Sequence, residues 1–115
     1  MDVETALASH VALAVDVPVR SGVPADRPAT FVDIERTGGP VEDVVSDWAT
    51  FSLRCWAGSK AEARDLAYAV RDAVVDFGES GAAVNANVTS LFSDRDVDSG
   101  SYRYQMVAEV VWQQD

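Results

Sequence analysis

Trp48-Ala49-Thr50-Phe51-Ser52-Leu53-Arg54-Cys55-Trp56-Ala57, continued by Gly58-Ser59-Lys60-Ala61-Glu62, holds a strand pattern and a helix start back to back. Up to Ala57 the period is two. Ala49, Phe51, Leu53, Cys55 and Ala57 fall on one side, and Trp48, Thr50, Ser52, Arg54 and Trp56 on the other, as in a strand with one face in a core. The second row is polar except for its two tryptophans. Ser59 and Glu62 then form Ser-x-x-Glu, a capping box whose hydroxyl satisfies an orphan N–H at a helix start. From there to about Phe77 the apolar residues recur at helical spacing: Ala63, Leu66, Ala67, Val70, Ala73, Val74 and Phe77. Glu62, Arg64, Asp65, Arg71, Asp72 and Asp76 make the opposite, solvated face, and Gly78 stands where a left-handed C-terminal cap is expected.

The flanking segments extend the same scheme. Val3, Leu7, Val11 and Ala14 predict a helix from residue 2 to about 15, with Asp2 and Glu4 favourably placed at the positive end of its dipole. Pro18 stops it. The stretch Val17 to Pro28 is proline-rich loop, with Val17 to Arg20 able to form a short edge strand. Ala29 to Arg36 reads as a strand, Val32 and Ile34 against Asp33 and Glu35, broken by Thr37-Gly38-Gly39-Pro40. Ala83 to about Phe92 sets Val84, Ala86 and Val88 against Asn85, Asn87 and Thr89. The last strand, Tyr102 to Gln113, puts Tyr102, Tyr104, Met106, Ala108, Val110 and Trp112 on one face. The order helix, strand, strand, helix, strand, strand predicts a single α+β domain over residues 1–115. Its sheet is small, antiparallel or mixed, of four to five strands, with both helices packed on one face. The other sheet face is left bare in one copy, for solvent or for a neighbour.

Composition narrows the function. A chain of 115 residues, 48% hydrophobic, is long enough for one core without metal or disulfide staples. Nine basic residues against nineteen acidic ones leave a net charge of −10. Such a surface repels phosphate and lacks the basic stripe of a nucleic-acid binder, and it disfavours docking on anionic lipid. The single cysteine allows no internal disulfide. The acidic start Met1-Asp2-Val3-Glu4 is unlike a secretory signal, and no apolar run approaches the roughly 20 residues of a membrane span. A cytoplasmic site of synthesis is expected.

Chemistry-bearing motifs are few, and no enzyme is expected. His10 is the sole histidine, and no Gly-x-Ser-x-Gly elbow accompanies it. Cys55 falls on the inward face of a strand, where a thiol acts as a small hydrophobe. Gly38-Gly39 leads into Pro40 and not into a helix, so it reads as a turn rather than a phosphate cradle. Asp94-Arg95-Asp96-Val97-Asp98 resembles the start of a calcium loop. Ser99 replaces the required glycine and Gln105 the bidentate glutamate, so an acidic hairpin loop is expected, without a metal or other cofactor. Trp48 and Trp56 lie at opposite ends of one polar strand face. With Arg54 between them they are candidate contacts between subunits; cover by a loop of the same copy is the competing reading.

Arg20, Pro24, Arg27-Pro28, Phe31-Val32 and Arg36-Thr37-Gly38-Gly39 occur in that order. They are followed by Cys55-Trp56-Ala57, Leu66-Ala67, Val70-Arg71 and Tyr102-Arg103-Tyr104-Gln105. This succession, spanning nearly the whole chain, resembles the tail terminator (tail completion) proteins of long-tailed bacteriophages. The resemblance implies a structural virion protein in the neck region of the tail, assembled in the host cytoplasm. Six copies would form a ring that caps the tail tube, ends its polymerisation and meets the head-tail connector or head-closure protein. Six copies of −10 each would carry −60, and with part of that charge lining the lumen DNA would pass through without specific binding. Candidate loop contacts or lumen charges are Glu42, Asp43, Asp94, Asp96 and Asp98. A head-tail connector or head-closure protein is the nearest alternative. A small ferredoxin-like ligand-binding regulatory domain is the more distant one.

Overall fold

In the computed structural model residues 2–22, 28–39, 46–95 and 100–113 are described. The elements are α1 (Val3–Ala14), β1 (Val19–Arg20), β2 (Phe31–Gly38), β3 (Ser46–Ala57), α2 (Lys60–Glu79), β4 (Asn85–Arg95) and β5 (Tyr102–Gln113). The strands form one mixed sheet in the order β1-β2-β3-β5-β4. β1 runs parallel to β2, and every other pairing is antiparallel. The fold is therefore α+β, as the order of elements predicts.

The middle of the sheet is β3 against β5, in register from Ser46 opposite Gln113 to Ala57 opposite Tyr102. That register aligns the two apolar rows. Phe51 lies opposite Ala108 and Leu53 opposite Met106, and all four are fully buried. β3 and β4 both pair with β5, so they are parallel to each other, and α2 crosses over β5 to join them. α2 covers this part of the sheet with Ala67, Val70, Ala73, Val74 and Phe77, and Val3, Leu7 and Val11 of α1 complete the core. Each large side chain buried this way contributes about 1.5–3 kcal/mol. His10 ties the two helices together, its Nε2 3.0 Å from Asp76 Oδ2 and its ring 5.0 Å from Phe77. No helix among the described residues is long and apolar enough to cross a membrane.

Ser59 caps α2 as expected, its Oγ accepting from Glu62 N at 3.2 Å, and Asp2 proves to be the N-cap of α1, its carboxylate accepting from Thr5 N at 2.8 Å. The hydrogen bonds to Thr5 hold the Asp2 carboxyl below its ordinary pKa. The C-terminal cap of α2 is not Gly78. The helix continues to Glu79, Ser80 closes it in a right-handed conformation, and Gly81 takes the positive φ of 87°. Gly78 instead permits a close approach, since a Cβ there would meet Ala86 N at 2.7 Å. β2 likewise outlasts Thr37 and breaks at Gly39, whose φ is 95° and whose missing side chain leaves room for the Trp48 carbonyl.

β4 departs most from simple alternation. Its pairing with β5 steps from Val88–Ala108 to Ser90–Val107, leaving Thr89 extra in a bulge. Ala86 and Val88 face the helices before the bulge, and Leu91, opposite Met106, faces them after it. Phe92 is thereby turned to the opposite face and stands 43% exposed. Val84 lies before the strand, 61% exposed, and its N–H donates to Val111 O at 2.9 Å.

Candidate functional site

Opposite the helices, the sheet presents the second row of β3 with its cross-strand partners. The register sets Phe31 and Arg103 on either side of Trp56, Asp33 and Gln105 beside Arg54, and Trp48 against Val111. This face divides into two unlike ends.

At the Trp56 end the side chains satisfy one another. Asp33, 0% exposed, accepts from Trp56 Nε1 at 2.8 Å and from Arg54 Nε at 3.0 Å. Arg54 also reaches Glu35 at 2.8 Å. The Trp56 ring stacks on Phe31, centroids 5.4 Å apart at 7°, and Arg103 lies over it with its guanidinium carbon 4.9 Å from the centroid. Arg103 pairs with Asp94, and Gln105 donates to Ser52 at 2.9 Å. Trp56 is therefore 3% exposed, and of the two readings open for it, subunit anchor or cover within its own copy, the single chain shows the second, because the register delivers Phe31 to its face and Asp33 to its N–H. Arg54, expected at a subunit contact, has its charge engaged by two carboxylates within its own chain.

The other end is open. Trp48 is 48% exposed. It borders a shallow groove of about 230 Å³ lined also by Gly39, Thr50, Asn85, Asn87, Glu109 and Val111. A large aromatic with apolar and amide neighbours is the composition of a protein-contact anchor. Of the two tryptophans, only Trp48 remains available from outside.

Near the far end of the sheet a second depression of about 220 Å³ gathers Lys60, Ser93, Asp94, Arg95, Tyr102, Arg103 and Tyr104. Arg95 lies 5.0 Å over the Tyr102 ring. The sequence hides this grouping, because Lys60 joins the strand residues only through the α2 start. The one signal available was that Lys60 is the only lysine.

Of the expected loop charges, Glu42, Asp43, Asp96 and Asp98 lie outside the described residues. Asp94 is not in a loop: it belongs to β4, with Arg103 opposite and bonded to it. Asp47 also belongs to a strand and takes a bidentate pair from Arg36 at 2.7 and 2.8 Å, which raises the Arg36 pKa. Among the described residues no group of three or more His, Cys, Asp or Glu side chains converges on a metal position. Cys55 is fully buried, and burial, with a smaller push from the Asp33 charge, raises its thiol to about 12. Such a thiol is inert.

No protein-family model matches the sequence, and no curated protein matches it. Among solved structures the fold is similar to that of a chain in the virion of a native gene transfer agent (GTA) particle. The two superpose with a TM-score of 0.69 and 19% identity over 97% of this chain and 95% of that one. At that identity the likeness is one of fold.

Proposed function

We propose that this chain is a structural virion protein, and within that class a tail terminator. Copies close into a ring, of six by the resemblance in the sequence, that caps the tail tube and meets the head connector. The observation that carries the reading is the fold's agreement, end to end, with a chain of a virion particle. The surface supports it. A ring needs two different patches per subunit whose rotation closes, and the exposed Trp48 groove and the basic depression are two unlike patches. β4 adds an eleven-residue edge strand with no neighbour on one side among the described residues, and such edges accept partners. The negative charge carried by each copy fits a channel through which DNA slides without adhering.

Purified protein mixed with tail tubes, and separately with DNA-filled heads, tests the assignment. A terminator caps tubes and limits their length in electron micrographs. Binding to heads alone would move the protein to the head-closure side of the neck. Binding to neither, with no copies in the particle, would end the virion reading.

A further inference from the structure

We infer that the depression around Lys60, Arg95 and Arg103 is the receiving half of a contact between copies, and that its ligand is the Glu109 carboxylate of a second copy. The inference rests on the reading of a self-assembling virion protein and names the surfaces that meet.

Copies of −10 each repel one another, so a contact between them gains from setting unneutralised cations against unneutralised carboxylates. Most of the arginines are already engaged. Arg36, Arg54, Arg64, Arg71 and Arg103 each hold a carboxylate of their own chain. Lys60 and Arg95 hold none among the described residues, and they share one concavity. Among the described lining residues Asp94 is the one carboxylate against three cations, and it is bonded to Arg103. Tyr102 and Tyr104 give it an aromatic lining that suits one inserted side chain. The Nε of Arg103 is buried with no acceptor among the described residues, a donor still without a bond.

The complementary group lies at the other end of the molecule. Glu109 is exposed on β5 in the groove beside Trp48 and has no cation of its own chain within ion-pair distance among the described residues. Along the β3–β5 pair Glu109 lies opposite Thr50 and Arg103 opposite Trp56, and six residues of strand put these two positions roughly 20 Å apart. Patches at opposite ends cannot satisfy each other within one copy. They can do so head to tail, which is the heterologous geometry that closes rings. Trp48 beside the inserting Glu109 supplies the apolar surface that excludes water around the ion pair.

Charge exchange tests this. Sedimentation velocity of the full chain at low salt, with circular dichroism to establish folding, compares wild type, Glu109→Lys, the double variant Lys60→Glu/Arg95→Glu, and all three changes together. Each half-exchange is expected to weaken self-association about tenfold or more, and the full exchange to restore it. Wild-type association should also fall as salt rises. Unaltered association in either half-exchange overturns the inference. So does failure of the full exchange to recover, or a wild type that stays monomeric alone. Tube capping is scored separately: capping that survives every variant removes this contact but leaves the terminator reading standing, and absent capping by wild type does the reverse.

Discussion

At the scale of single residues, the buried polar groups decide what this chain tolerates. Asp33 is completely enclosed, and its two oxygens serve Trp56 Nε1 and the Arg54 guanidinium. Asp33→Ala strands both donors beneath the stacked aromatics and is expected to cost about 3 kcal/mol or more. Chemical denaturation followed by tryptophan fluorescence measures it. A loss under 1 kcal/mol would mean that the network is ornamental. Cys55 gives a second check. With its thiol pushed up to about 12 by burial, it should resist a thiol-disulfide reagent at pH 8 in the folded protein and react fully in denaturant. Brisk labelling of the native protein would contradict the inward register of β3.

At the scale of elements, the period of the sequence foretold whatever was regular. The α2 stripe predicted from spacing is, apart from the half-buried Leu66, the set the structure buries, and Ser59 caps it. The inward rows of β3 and β5 were legible because nothing interrupts their alternation. What was not legible were single-residue insertions. Thr89 carries no mark distinguishing a bulge from a strand position, yet it swaps the faces of Leu91 and Phe92. Gly78 has the same character: at a helix end, glycine suggests a cap, and only the approach of Ala86 reveals the other reason for it. The basic depression was illegible because β4, β5 and α2 meet there only in three dimensions. Gly78→Ala discriminates between the two roles of that glycine. Alanine ordinarily helps a helix by up to about 1 kcal/mol over glycine. Here its Cβ would collide with backbone, and a loss of about 1–3 kcal/mol is expected. A rise in melting temperature would restore the capping interpretation.

At the scale of the whole molecule, the two faces of the sheet divide the labour. The helix side buries the apolar core, while the opposite side is held by the Asp33 network at one end and open around Trp48 at the other. Trp48→Ala should leave the fold and melting temperature nearly unchanged, because the side chain is half in solvent, yet weaken ring or tube assembly about tenfold or more. Light scattering and tube-length distributions measure the second effect, and assembly that ignores the change would strip Trp48 of its role. The strand order carries a further consequence for how a newly made copy matures. β5 is the last strand along the sequence but lies inside the sheet, between β3 and β4. Until it slots in, the hairpin of β2 and β3 and the crossover helix have no way to close, and β4 has nothing to pair with. Distant partners of this kind make for slow folding, on the order of milliseconds to seconds. During that interval the apolar rows of β3 and β4 stay open to other nascent copies, so β5 acts as the bolt that separates maturation from clumping.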